Sequence, residues 1–196
     1  MFDFSNTKPP QEYGALIPDG TIAVVRMNIK PGGIGPGNWF TRAESGSEML
    51  CVEFTILEGE FARRKFFGNL ITNGATAGAQ SMVENTMQVL GAIINSALDL
   101  DPRDDSPATR AKRSNVEPST FDGINFLAKI GIEAGKLKDD GSGEKWPDKN
   151  RLAVPITKDH PKEWRGPILQ NAPCATPSQT PLPLSSQPMS KPEWAK

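Results

Sequence analysis

The sequence has few of the residues from which catalytic and metal sites are usually built. Its 196 residues include one histidine, His160, and two cysteines, Cys51 and Cys174. Any Ser/His/Asp or Cys/His centre would have to be built around His160, and the cysteine spacing fits neither a disulfide framework nor a zinc site. We therefore expect no enzyme and no cofactor, with thiols that stay reduced as in a cytoplasm.

Long apolar runs and a dominant charge are also missing. Hydrophobic residues make up 37% of the chain and aromatic residues 7%. No apolar run approaches the roughly 18 residues of a membrane span, and the N-terminus lacks the basic and apolar regions of a signal peptide. Because the net charge is −1, nucleic-acid binding would need a local basic patch. These properties predict a cytoplasmic protein with no membrane partner.

Glycine and proline, with 18 residues each, are by contrast abundant. They cluster in residues 31–37 and after Pro167, which predicts a loop and a tail. Three segments follow from this: an N-terminal arm (1–12), a folded domain (13–170) and a disordered Pro/Ser/Thr-rich tail (171–196) that cannot form a packed core. Trp194 near the end of the tail is typical of a docking peptide for another protein, and the alternative is a solvated tail without a partner.

Apolar and polar residues alternate in several stretches, which is the period of strands with one buried face. Glu58-Gly59-Glu60 joins two of these stretches in a hairpin, and a stripe from Val83 to Ala97 has helical spacing. The predicted elements are strands at Thr21–Lys30, Leu50–Ile56 and Phe61–Ile71, a helix at Ala77–Leu98, and strands at Phe121–Glu133 and Asn150–Ile156. This order predicts a mainly β protein, an OB-fold-like five-stranded Greek-key barrel with one helix between strands 3 and 4.

The strand that returns from the hairpin carries the clearest functional signal. Side chains alternate across a strand, so Arg63, Lys65, Phe67 and Asn69 fall on one face. Cations suit phosphates, an aromatic ring suits a stacked base, and an amide suits base or sugar edges, so this row is typical of a surface for single-stranded nucleic acid. The alternative is ordinary surface, with Phe67 tucked under a loop.

Two loops could extend this surface. The glycine-rich residues 31–48 carry Trp39 and Phe40, two aromatic side chains that suit base stacking. In the alternative, Trp39 folds back to cap the barrel. The loop at 136–149 carries Trp146, and in an OB-fold these two loops rim the binding groove. The full predicted nucleic-acid site is Arg26, Lys30, Trp39, Phe40, Arg42, Arg63, Lys65, Phe67, Asn69, Lys129, Trp146, Lys149 and Arg151.

Acidic residues offer a weaker alternative. Asp99, Asp101, Asp104 and Asp105 are of the type that binds Mg²⁺ in nucleases, but their Pro-interrupted stretch is more typical of a solvated loop. Residues 139–143 lack the ligand spacing of a calcium loop, and the glycines form no dinucleotide or P-loop motif. We expect no metal site.

The runs GTIAVVRMNI, MLCVEFTILEGEFARRKFFGNLIT, FDGINFLAKIGIE and PDKNRLAVPI resemble an uncharacterised family of bacteriophage and prophage proteins. Its members are generally taken to be OB-fold single-stranded DNA-binding proteins, found beside phage recombination and replication genes. The likeness spans about residues 12–156 and is strongest at the hairpin. It implies a DNA-binding role for Arg63–Asn69 and for the turn at Pro147–Asn150. The tail lacks the acidic, apolar-tipped end common in such proteins, and residues 99–116 have no obvious counterpart.

These observations together predict a non-enzymatic protein that binds single-stranded DNA during phage or prophage replication or recombination, in the cytoplasm of the bacterial host. The tail, through Trp194, is a candidate contact for phage or host replication and recombination proteins. A homo-oligomer and a preference for DNA or RNA stay open. The alternative is an OB-like protein-interaction or structural phage module that binds no nucleic acid.

Overall fold

The computed structural model describes residues 15–139 and 141–170. The predicted arm (1–12) and the predicted tail with Trp194 lie outside these residues. Within them the chain forms six strands and two α-helices. In chain order they are β1 (Thr21–Lys30), β2 (Thr41–Arg42), β3 (Glu48–Ile56), β4 (Lys65–Asn73), α1 (Ala77–Ala97), α2 (Pro107–Arg113), β5 (Ile124–Glu133) and β6 (Lys149–Pro155).

The strands form one open antiparallel sheet with β1 at its centre. β1 pairs with β3 on one side and with β5 on the other, β4 pairs with the far side of β3, and β6 pairs with the far side of β5. The short β2 pairs with the first residues of β3, where Thr41 lies opposite Met49. The predicted mainly β class, with a helix between the hairpin and the last two strands, is confirmed; β2 is a sixth strand that was not predicted.

The hairpin turn between β3 and β4 is longer than predicted. The chain turns through residues 57–64, where the Ala62 amide donates to the Gly59 carbonyl at 3.2 Å and the Arg64 amide donates to the Phe61 carbonyl at 3.0 Å. Arg63 has a φ of 69°, which is left-handed backbone that no strand residue adopts. β4 therefore begins at Lys65, four residues after the predicted start.

The core lies on one face of the sheet, under α1. Alternate residues of β1, β3 and β5 point into it, and Phe54 at its centre stacks on Phe66 at a ring distance of 5.0 Å and meets Phe126 edge-on at 6.1 Å. Burial of one such ring stabilises the fold by about 1.5–3 kcal/mol. The opposite face of the sheet points away from this core.

Helix α1 closes the core from one side. It begins at a Thr76 cap, whose hydroxyl accepts from the Ala79 amide at 3.2 Å. Leu90 and Ile94 of the predicted stripe are buried, whereas Met87 is half exposed because the buried side of the first half of the helix is formed by Ala79 and Thr86 instead. Neither helix in the described part of the chain has both the length and the apolar character needed to cross a membrane.

Residues 157–170, which we call the strap, run over the outer face of β5. Lys129 of β5 pairs with Glu163 of the strap at 2.9 Å. Asn125 of β5 is fully buried beneath the end of the strap, and its side-chain amide donates to the Gln170 carbonyl at 2.7 Å. The strap therefore covers β5 on the outer face of the sheet and leaves the outer face of β1, β3 and β4 uncovered.

Candidate nucleic-acid interface

The exposed outer surface of β1, β3 and β4, which we call the three-strand face, is the strongest candidate site. The strand register places Lys65, Phe67 and Asn69 of β4 beside Thr55, Glu53 and Cys51 of β3, which in turn lie beside Arg26, Asn28 and Lys30 of β1. In β4 the alternation is as predicted, since Phe66 is buried while its neighbours on both sides are exposed. The face therefore carries three basic residues around one aromatic ring.

Phe67 lies at the centre of this cluster and is 54% exposed. The ammonium of Lys30 is 4.4 Å from its ring centroid, which is within cation–π distance. The predicted alternative, in which Phe67 is tucked under a loop, does not fit this exposure. A half-exposed ring between charged side chains is a surface on which a base could stack.

Glu53 is directly opposite Phe67 and was not among the predicted site residues. Its carboxylate lies 2.7 Å from the ammonium of Lys65 and 3.7 Å from that of Lys30. The alternation of β3 in the sequence already predicts that Glu53 lies on the outer face with its neighbours Cys51 and Thr55. The two lysines therefore reach one acceptor from either side of the aromatic ring.

Arg26 lies where the three-strand face meets the strap. Its Nε donates to Oδ1 of the buried Asn125 at 3.0 Å, so the guanidinium is half buried and fixed by β5.

Arg63, in contrast, does not belong to the face. It was predicted to share a row with Lys65, but it lies in the left-handed turn before β4, and its amide donates to the Ile56 carbonyl at 2.8 Å.

The glycine-rich loop after β1 packs back onto the core. Trp39 and Phe40 are both partly buried against core residues. For Trp39 this agrees with the alternative in which it folds back rather than stacks on bases. A Cβ added at Gly37 would lie 2.4 Å from the Trp39 ring nitrogen, and the φ of Gly37 is 71°, so this position requires glycine. Arg42 of β2 pairs with Glu48 at 2.9 Å, and this hydrogen bond lowers the pKa of Glu48.

The second predicted loop leaves the sheet at the other end of β1. β5 ends beside the residues that precede β1, where the Ile132 amide donates to Asp19 at 3.0 Å, whereas Lys30 and the glycine-rich loop follow the last residue of β1. Trp146 is 60% exposed, with the ammonium of Lys138 5.6 Å from its ring. Trp39 and Trp146 therefore belong to loops at opposite ends of β1.

The remaining basic candidates lie on β5 and β6. Lys129 is held by the strap through Glu163, as described above. Lys149 pairs with Glu133 at 3.5 Å, and Arg151 is exposed opposite Gly131. The structure thus brings Lys30, Lys65, Phe67 and Asn69 together, with Arg26 at their edge, and places the β5 and β6 residues elsewhere on the sheet.

In the acidic stretch after α1, the carboxylate of Asp104 accepts hydrogen bonds from residues of the same segment. The carboxylate of Asp104 accepts from the Thr109 hydroxyl at 2.6 Å and from the Ser106 amide at 2.9 Å, and these bonds, that of Thr109 first, lower its pKa. Arg113 of α2 ties this loop to α1 through Asn95 at 2.8 Å. Across residues 15–139 and 141–170, no three acidic, histidine or cysteine side chains cluster as metal ligands would.

A cavity of about 540 Å³ lies between α1, the start of β3 and residues 113–121. Its walls are mainly apolar, with Phe40, Leu90 and Phe121 among them, and Glu48 lies at its polar part. Sequence patterns did not indicate it, because its walls come from segments far apart in the chain.

Comparison of the sequence with models of known protein families found no match, and comparison with curated proteins found none either. The resemblance to the phage family therefore stays a prediction. A function for this chain is therefore argued from the geometry of the three-strand face.

Proposed function

We propose that this chain binds single-stranded DNA, without catalysing a reaction, through the three-strand face. The observation that carries this proposal is the half-exposed Phe67 ring between Lys30 and Lys65. Sequence-tolerant binding of a single strand needs aromatic rings for bases and cations for phosphates. With a net charge of −1, the protein depends on such a local cluster rather than on bulk charge.

The topology supports an OB-fold-like domain as part of this proposal. The spatial order β5-β1-β3-β4 is that of a Greek key, in which the fourth long strand returns beside the first. Cα atoms of β4 and β6 also come within 8 Å of each other, so the two end strands of the sheet approach. In the OB-fold the second and third strands carry the ligand; here these are β3 and β4, which hold Glu53 and Phe67.

The resemblance described above suggests the setting for this activity. We place the protein in phage or prophage replication or recombination, in the cytoplasm of the bacterial host. In this setting it would coat single-stranded DNA, and the tail with Trp194 would contact phage or host proteins. This setting is supported by the sequence runs alone.

The test is a titration of fluorescent oligo-dT, and of the matching RNA, at two ionic strengths. We expect Phe67→Ala to weaken binding, since a stacked base is worth about 1–3 kcal/mol, or about 5- to 150-fold. Met82→Ala is the matched control, because Met82 is 53% exposed on α1, away from the sheet face. Oligo-dT that binds the Phe67 variant as tightly as the parent would show that the site is elsewhere.

Protein binding is the second candidate function, and the cavity beside α1 favours it. Its apolar walls and the half-exposed Met87 could receive an apolar side chain of a partner. If no oligonucleotide binds at micromolar protein and low salt, this second function is the better explanation of the fold.

A further inference from the structure

Glu53 is an acidic residue on the three-strand face, and a surface that only binds phosphates does not require one. A carboxylate near the nucleic-acid path repels phosphates, so its presence between two lysines calls for a reason. The Glu53 side chain is 17% exposed between lysine side chains that are 57% and 52% exposed, so it still reaches the surface of the face beside Phe67. We infer that Glu53 selects bases that carry an exocyclic amino group, such as cytosine, over thymine and uracil.

The register places this carboxylate beside the stacking ring. Glu53 and Phe67 are directly opposed on neighbouring strands, and the Cβ atoms of such pairs are about 4.5–5.5 Å apart. Within the described residues β4 pairs only with β3, so one edge of a base stacked on Phe67 lies toward Glu53. The other edge lies toward the end of the sheet.

The carboxylate keeps free acceptor capacity in this arrangement. Lys65 approaches one of its oxygens at 2.7 Å and Lys30 approaches the other at 3.7 Å, whereas a carboxylate offers about four lone-pair sites. Each oxygen can therefore still accept a hydrogen bond from a base. The lysines also hold the carboxylate in place beside the ring.

The chemistry of the bases then decides which of them fits. A carboxylate only accepts hydrogen bonds, and acidic side chains accept from the N4 amino group of cytosine. Thymine and uracil present a carbonyl oxygen at the same position, which would face the carboxylate acceptor to acceptor. The matched probes are oligo-dC and oligo-dU of one length, which differ in that amino or carbonyl group and in the proton on the neighbouring N3 of uracil.

This inference rests on the proposed function, and the experiment separates the two. Oligo-dC and oligo-dU are titrated at low salt and neutral pH, and we expect oligo-dC to bind about 10- to 150-fold more tightly, as one hydrogen bond to a charged group allows. If neither oligonucleotide binds, the proposed function fails. If both bind equally, DNA binding stands and base selection by Glu53 is wrong.

Glu53→Gln tests the assignment to this residue. The amide can accept or donate, so the preference for oligo-dC should disappear, while binding of oligo-dU should tighten because a negative charge is removed. Glu133→Gln is the control, since Glu133 also pairs with a lysine but lies on β5; it should leave the preference unchanged. If Glu53→Gln tightens both oligonucleotides by the same factor, Glu53 acts only through its charge and the inference is overturned.

Discussion

At the scale of single residues, the contact between Lys30 and Phe67 would be the first to change if the proposed binding takes place. The ammonium lies over the ring that a base would use. An exposed cation–π contact is worth about 0.5–1 kcal/mol, which is less than the roughly 1–3 kcal/mol of a stacked base. A base should therefore displace Lys30 from the ring, and the freed ammonium can then meet a phosphate.

The lysines give a prediction about salt. A variant in which one lysine no longer reaches a phosphate should show a slope of log affinity against log salt that is shallower by about 0.7 for a single strand. We expect Lys30→Ala and Lys65→Ala each to show this reduction in oligo-dT titrations across a salt series. Lys112→Ala, a change of an exposed lysine on α2, should leave the slope unchanged. Equal slopes in the parent and all three variants would mean that neither face lysine binds phosphate.

Residues on the three-strand face were predictable to different degrees. Lys65, Phe67 and Asn69 followed from the two-residue period of a strand, which the structure keeps from Lys65 onward. The position of Arg63 did not follow from this period, because the period does not show where the turn before β4 ends. The left-handed backbone of Arg63 in that turn interrupts the alternation. Glu53 follows from the same period in β3, but the predicted site contained only basic, aromatic and amide side chains.

At the scale of elements, a buried hydroxyl joins α2 to the loop that follows α1. Thr109 of α2 donates to the Asp104 carboxylate at 2.6 Å, and this bond lowers the pKa of Asp104 below its usual 3.8. A carboxyl group whose pKa is lower in the folded than in the unfolded state stabilises the folded protein at pH values above its unfolded pKa. This stabilisation is lost as the pH falls through the folded pKa of the group. The effect therefore belongs below about pH 4.

We expect Asp104→Asn to flatten the fall of the unfolding temperature between about pH 4 and pH 2. Thr109→Val removes the hydroxyl donor while nearly keeping its shape, and it should flatten the same part of the curve. Thermal unfolding at a series of pH values measures both. A curve for Asp104→Asn that is parallel to that of the parent would show that this bond does not control acid stability.

The long elements were predictable, and the irregular ones were not. Five strands and α1 have enough repeats of their period to be recognised, and their order is confirmed, although β4 and β5 begin four and three residues after their predicted starts. β2 has two residues, too few to show any period. The strap has no period at all, and its position is set by the pairing of Gln170 with Asn125, 45 residues away in the chain.

At the scale of the whole molecule, the strap holds the helix and the sheet together. The side chain of Gln170 accepts from the Asn125 amide at 2.9 Å and donates to the Ala97 carbonyl of α1 at 2.9 Å. A buried polar group left without a partner costs about 1–3 kcal/mol. The end of the strap therefore contributes to the stability of the fold.

We expect Gln170→Ala to lower the free energy of unfolding by about 1–3 kcal/mol. Leu169→Ala is the neighbouring control, since this side chain is 77% exposed and its backbone carbonyl is kept; it should change the free energy by less than about 0.5 kcal/mol. Urea unfolding, with equal slopes for all proteins, measures the difference. Similar losses of stability in both variants would contradict the role given to the Gln170 amide.

The central position of β1 has a consequence for synthesis on the ribosome. β1 needs β5 as its second neighbour, yet 94 positions separate Lys30 from Ile124, which is about 5–20 s of translation at roughly 5–20 residues per second. During that interval one side of the nascent β1 has unpaired amides and carbonyls, a template for pairing between chains. Chaperones that bind emerging polypeptides would shield this edge until β5 leaves the exit tunnel.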